Sequence, residues 1–185
     1  MTKRGPWTIK ESEEKYKNKW ITVTEHQVVR PDGKDGIFGE VRMLDGISIL
    51  PIDEKGGAYL TQEFRFAVNK DSIECVSGGI DESEDPETAA RRELKEELGM
   101  EVGELIPLGE VHPFTNVVGS ASHIFLANNI TLKGDTSWEG TEHITRITVP
   151  FTQVVDMVMK GEIFHSQTCT LILKANEYLK KSNLL

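Results

Sequence analysis

The chain has 185 residues, 38% hydrophobic and 28% charged, which suits one folded domain with an extension and excludes both a disordered chain and two full-sized domains. Its formal net charge of −9 argues against nucleic acid as a bulk partner, because gripping a phosphate backbone takes clustered Lys and Arg. An acidic protein that handles a small phosphate ester does so more readily through a bound cation, so metal is an early question.

In chain order, residues 10–19 are a mixed-charge stretch expected to be an exposed lead-in. From Trp20 the pattern alternates, with Ile21, Val23, Val28 and Val29 set against Thr22, Thr24 and His26, which predicts a strand. Residues 31–34 (Pro-Asp-Gly-Lys) supply turn chemistry, and residues 37–43 read as the returning strand. Residues 47–52 and 59–64 are β-type and flank residues 53–57, expected to be a glycine-rich hairpin loop. Residues 73–76 form a short apolar strand running into Gly78 and Gly79. A helix is predicted over 86–98, with Asp85 as cap, Pro86 in the first turn and Gly99 as stop. Beyond it lie β-type stretches at 104–111, 123–127 and 144–149. Helices follow at 151–160 and about 166–181, the latter with Leu171, Leu173, Ala175 and Leu179 only loosely at helical spacing. The expected division is a small N-terminal antiparallel β unit over 1–44 and a mixed α/β domain over 45–185. Cys75 and Cys169 lie far apart without CxxC spacing and are expected to be reduced thiols. The N-terminal segment has no apolar h-region and no run is long enough to span a bilayer, so a cytoplasmic protein without a membrane partner is expected.

The chemistry concentrates on the predicted helix. Glu93, Glu96 and Glu97 stand at i, i+3 and i+4, so their carboxylates share one face. Like charges at that spacing destabilise a helix by a few tenths of a kcal/mol each. Two readings compete for the carboxylates alone: a solvated acidic face relieved by Arg91, Arg92 and Lys95, or an oxygen-ligand site for Mg²⁺, which keeps several waters and takes one or more carboxylates plus substrate phosphate.

The flanking residues separate the two. The segment reads Gly78-x5-Glu84-x7-Arg92-Glu93-Leu94-x-Glu96-Glu97-x-Gly99-Met100. It resembles, at every fixed position, the signature of the Nudix hydrolase family, a match expected by chance roughly once in 10⁹ start sites. The resemblance implies an α/β/α sandwich with a mixed β-sheet and a loop-helix-loop metal site. It implies Glu93, Glu96 and Glu97 as metal-ligand carboxylates, Arg92 orienting Glu93, Glu84 as a secondary contributor, and Gly78 and Gly99 setting the turns. The carbonyl of Ser77 matches the position of a backbone ligand in related enzymes. Mg²⁺ is the expected cofactor, with Mn²⁺ able to substitute.

The run-in Gln62-Glu63-Phe64-Arg65-Phe66-Ala67 and Ile73-Glu74-Cys75-Val76-Ser77-Gly78 resembles the ADP-ribose pyrophosphatase-like branch. By position that branch implies Arg65 and Glu74 at the substrate phosphates and metal. It also implies an N-terminal β unit that builds a homodimer and lends an aromatic ring to the base, Trp20 first and Trp7 second. A catalytic base is expected from a loop after the signature, Glu142 or, alternatively, Glu139. Departures bear on substrate choice: the usual Leu-Pro-Ala is Cys75-Val76-Ser77, and Lys34 is the only cation in the turn over 31–36. ADP-ribose is the leading nucleotide sugar and GDP-mannose the alternative. A non-catalytic binding module would be expected to lose carboxylates that are all kept here, and an RNA-end hydrolase would need a basic, aromatic-laced stripe.

Overall fold

The computed structural model describes residues 1–134 and 144–182. They divide into two compact units, Met1–Leu44 with His112–Ala121, and Asp45–Val111 with Ser122–Leu185.

The first unit is a sheet ordered β1-β2-β3-β4-β10, from Thr2–Arg4 (β1), Trp7–Lys17 (β2), Ile21–Val29 (β3), Asp35–Met43 (β4) and Val118–Gly119 (β10). Its first four strands pair antiparallel, and β10 joins β4 in parallel through Val118 opposite Val41. Residues 10–17, expected as a lead-in, lie within β2. Their charged side chains carry little β propensity, but the ladder of β3 satisfies their backbone groups, and Lys15 reaches Glu25 across the strands at 3.4 Å. Register shifts between Ile9 and Glu11 and between Glu14 and Tyr16 break the alternation that would have revealed the strand.

The second unit holds two sheets. One has the order β8-β5-β11-β9, from Val76–Gly79 (β8), Gly46–Pro51 (β5), Ser122–Leu132 (β11) and Met100–Val111 (β9). The other has the order β12-β6-β7, from Thr145–Pro150 (β12), Gly57–Arg65 (β6) and Lys70–Glu74 (β7). β5 and β11 run parallel and the other pairs antiparallel, so the first of these sheets is mixed. The expected hairpin at 53–57 is a tight turn, closed by Asp53 N–H to Gly57 O at 2.9 Å, but its flanking strands enter different sheets and share only an Ile52–Ala58 bridge. The single strand expected over 73–76 is likewise divided: β7 ends at Glu74, β8 begins at Val76, and Cys75 is the crossover between sheets.

Helix α1 (Pro86–Leu98) packs on one face of the four-stranded sheet, with Ala90, Leu94 and Leu98 buried against Ile47, Ile49 and Phe125. Helices α2 (Phe151–Met159) and α3 (Ser166–Lys181) contribute to the second core, where Phe151, Val154, Leu171 and Ile172 meet Leu50, Ile124 and Leu126. Successive residues of β5 and β11 thus point into opposite cores, and both faces of these strands are covered, which is why they read as nearly continuous apolar runs. The arrangement is an α/β/α sandwich. In α3 the buried stripe is Leu171, Ile172, Ala175 and Leu179, whereas Leu173 is 38% exposed.

Candidate active site

The start of α1 is fixed by its own sequence. Asp85 accepts hydrogen bonds from the backbone N–H groups of Glu87 (3.0 Å) and Thr88 (3.1 Å), and Gly99 adopts φ 61 to close the helix. Between these ends, Arg92 ties the acidic cluster together. Its Nε and one terminal nitrogen donate to the two oxygens of Glu84 at 3.0 and 2.9 Å. The same terminal nitrogen reaches the Gly79 carbonyl at 2.9 Å, and the other reaches Glu93 Oε1 at 2.6 Å and Glu96 Oε2 at 3.2 Å. A planar guanidinium with five donors can do this and an ammonium cannot. The Glu84 bond and the charges around it raise the Arg92 pKa further, and the same bond holds Glu84 below the usual carboxylate range.

Gly78 lies directly against Glu93. A Cβ at residue 78 would sit 2.0 Å from Glu93 Oε1, so only a bare backbone leaves room for that carboxylate. Gly78 belongs to β8, where the Ser77 and Gly78 backbone faces β5 through Ser48 and Ile47. Glu93 is therefore pinned between Arg92 and the strand that carries Ser77. Glu96 is the more open, with a side chain 41% exposed.

A second cluster adjoins the first. Arg65, at the end of β6, donates to Glu74 Oε1 at 3.0 Å and Oε2 at 2.7 Å, and to Glu63 at 2.7 Å. Glu74 is 4% exposed; burial pushes its carboxyl up, yet the Arg65 pair and the neighbouring His165 bring it below its ordinary value. The Glu74 hydrogen bond, first among its causes, raises the Arg65 pKa further, and Glu97 of α1 is among the charges acting on it, so the two clusters share one electrostatic field. Sequence reasoning missed His165, whose Nδ1 lies 3.4 Å from Glu74 Oε2, and Thr168, whose Oγ1 accepts from Cys75 N–H at 2.9 Å. No spacing in the chain links residues 74 and 165; only the fold joins them.

The aromatic candidates lie in the first unit. Trp7 meets Phe38 edge-on at 5.6 Å and lines a cavity of about 290 Å³ with His26, Glu40 and Arg42. Trp20 is 60% exposed, with Lys19 Nζ 4.3 Å from its ring centre. Glu139 and Glu142 lie outside the described residues. Cys75 and Cys169 are free, and burial raises both thiol pKa values.

Among the described residues no three His, Cys, Asp or Glu side chains are grouped to hold a metal unaided. The donors nevertheless fit a hard divalent cation. Glu93, Glu96 and the Ser77 carbonyl would all offer oxygen donors, Glu93 is already pressed against β8, and such a cation takes a few carboxylates and fills its remaining positions with water and phosphate.

A profile of the NUDIX domain matches residues 43–168, and one of the nucleoside diphosphate sugar hydrolase N-terminal domain matches residues 7–39. The chain belongs to the Nudix hydrolase family. It is similar to the GDP-mannose pyrophosphatase of Klebsiella pneumoniae, 34% identical over 139 residues that cover 71% of this chain and 68% of that one. It is also similar to the ADP-ribose pyrophosphatase of Bacillus subtilis, 22% identical over 161 residues, 86% of this chain and 87% of the relative. A crystal structure of an ADP compounds hydrolase superposes over 100% of both chains with a TM-score of 0.84 at 19% identity, a likeness of fold. As a Nudix pyrophosphatase the protein belongs to enzymes that generally need a divalent metal. No helix of the described residues is long and apolar enough to cross a membrane.

Proposed function

We propose that this Nudix hydrolase is a homodimeric, Mg²⁺-dependent enzyme of nucleoside-diphosphate sugars, foremost ADP-ribose, which it converts with water into a nucleoside monophosphate and a sugar phosphate. The observation that carries the proposal is the Glu93 carboxylate, held between Arg92 and Gly78 on the face it shares with Glu96, beside the Arg65–Glu74 pair. Glu93, Glu96, Glu97 and the Ser77 carbonyl would hold Mg²⁺, or Mn²⁺ in its place. When bound there, such a cation would offset the diphosphate charge and lower the pKa of water, so that a hydroxide nucleophile is available near neutral pH.

The chain's own residues do the rest. Arg92 orients Glu93 through the 2.6 Å hydrogen bond to its Oε1. Arg65, half-exposed and aligned by Glu74, offers its guanidinium to a diphosphate oxygen, the geometry at which arginine excels. Glu142, or failing it Glu139, is the base that takes the proton from the attacking water. Trp20, with Trp7 second, stacks on the nucleobase. The N-terminal unit builds the dimer, a role supported by the match of residues 7–39 to a domain named for nucleoside diphosphate sugar hydrolases. The free thiols suit a reducing cytoplasm, and the net charge of −9 suits a metal-bound small molecule rather than nucleic acid.

GDP-mannose is the second reading, favoured by the 34% identity to a GDP-mannose pyrophosphatase. A panel of ADP-ribose, GDP-mannose, UDP-glucose, NADH, diadenosine polyphosphates and dNTPs, with Mg²⁺ and a phosphatase-coupled readout, separates them. The highest kcat/KM should fall on ADP-ribose. GDP-mannose in first place would establish the second reading, and preference for dNTPs would overturn both.

A further inference from the structure

We propose that His165, the N-cap residue of α3, and Thr168, on its first turn, are positioning residues for this hydrolysis: they clamp the crossover at Cys75 and the Glu74 carboxylate, and through Glu74 they aim Arg65 at the diphosphate. The inference rests on the nucleotide-sugar reading.

The crossover is where the ladder has a gap. The last β6–β7 pair is Thr61 with Glu74, and the first β5–β8 pair is Ile49 with Val76. Cys75, fully buried, belongs to neither sheet, so its N–H needs another partner or goes unsatisfied at a cost of about 1–3 kcal/mol. Thr168 supplies it. This threonine is itself fully buried, and its Oγ1 accepts from Cys75 N–H at 2.9 Å. One residue upstream is Glu74; two downstream is Ser77. Any slack at Cys75 is passed directly to both.

His165 closes the clamp. Its Nδ1 lies 2.9 Å from Thr168 Oγ1 and 3.4 Å from Glu74 Oε2. With hydrogen on Nδ1 the ring donates to Thr168 Oγ1 and lies in ion-pair contact with Glu74 Oε2, which can only accept. Glu74 Oε2 is thereby held from the α3 side by His165 and from the β6 side by Arg65, while Oε1 takes Arg65 Nε. A carboxylate fixed on both sides fixes the guanidinium plane. Without His165 it can rotate on its own χ angles, and Arg65 follows it.

Loss of such alignment acts on ground-state phosphate binding more than on the bond-breaking step. His165→Ala should raise KM for the preferred nucleotide sugar by about 10-fold while kcat changes by less than about 3-fold. His165→Asn, which puts a donor where Nδ1 was, should recover most of the KM. Thr168→Val should raise KM and destabilise the fold, and Thr168→Ser should restore both.

An independent measurement follows the Arg65 Nε–H signal by NMR in metal-free protein, assigned by its absence in Arg65→Lys. It should be slow to exchange in the wild type and in His165→Asn, and fast in His165→Ala. Wild-type KM in His165→Ala, a His165→Asn variant no better than His165→Ala, or an Arg65 signal unchanged by His165→Ala would each overturn the clamp. A wild-type enzyme inactive on every nucleotide sugar would instead overturn the substrate reading, and the NMR comparison would still judge the clamp.

Discussion

A methyl group on residue 78 would have to occupy the space of the Glu93 carboxylate, which the bare Gly78 backbone admits at 2.0 Å from where a Cβ would stand. The obstructing atoms are the far end of a flexible side chain, so Gly78→Ala should fold. The cost falls on the site, because Glu93 must swing away from β8. The expected result is a kcat lower by at least about 10-fold with a melting temperature within a few degrees of wild type. A kcat equal to wild type in a calorimetrically intact variant would mean that the close approach has no bearing on catalysis. The carboxylates themselves are tested by replacing Glu93 and Glu97 together with Gln. Amides keep the shape but lose the charge that holds a cation, so turnover should fall below detection while circular dichroism stays unchanged. Near-full activity of the double variant would remove the metal site from α1. The sequence offered these residues readily, since local spacing alone puts them on one helical face. It did not show how Arg92 divides its donors among Glu84, Glu93, Glu96 and the Gly79 carbonyl, because residues 79–84 reach it only after the loop folds back.

Elements were legible where their stability is local. Helix α1 carries its start and stop in Asp85 and Gly99, and it spans Pro86–Leu98 as expected. That cap makes a direct prediction. Asp85→Ala removes the acceptor used by the Glu87 and Thr88 N–H groups and by the Thr88 hydroxyl at 2.6 Å, and should cost about 1 kcal/mol. In a chain of this size that is a melting temperature lower by about 2–4 °C, with activity per folded molecule retained, measurable by differential scanning calorimetry and a Mg²⁺ assay. Strand β2 was hidden for the opposite reason. Its residues have little preference for a strand, and β3 imposes the conformation through long-range pairing. The split at Cys75 was hidden as well: residues 73–76 read as one apolar run whether they stay in one sheet or pass between two. Arg65 and Glu74, outside α1, were legible through the run-in to Gly78, whereas His165 had no local signal at all.

At the scale of the whole molecule, the two units are held by different forces and should respond differently to acid. The second unit is built around two apolar cores. The sheet of the first is stitched through Glu40. Arg4 of β1 donates to both of its oxygens at 2.9 and 3.0 Å, His26 Nε2 of β3 lies 3.1 Å away, Arg42 of β4 is at 2.9 Å, and Ser12 of β2 meets His26 Nδ1 at 2.8 Å. One carboxylate thus links three strands directly and the fourth through His26. The Arg4 hydrogen bonds, with help from His26 and Arg42 and against the cost of burial, lower its pKa to about 2 from an ordinary 4.5. A folded-state pKa below the unfolded one means that the charged form stabilises the fold. That contribution is fully present above pH 4.5 and is lost as pH falls from there through 2. Arg4 and Arg42 are half-exposed, so solvent screening reduces the full linkage value to about 1–2 kcal/mol at neutral pH. Glu40→Gln should therefore destabilise the protein by about that amount at pH 7 and by progressively less toward pH 2, where about half of the wild type is itself protonated. Denaturant melts of both proteins at several pH values measure the gap. A gap constant with pH would mean that Glu40 contributes through packing rather than charge. If the first unit also builds the dimer, acid should dissociate wild type over the same interval, and Glu40→Gln should be partly dissociated already at neutral pH.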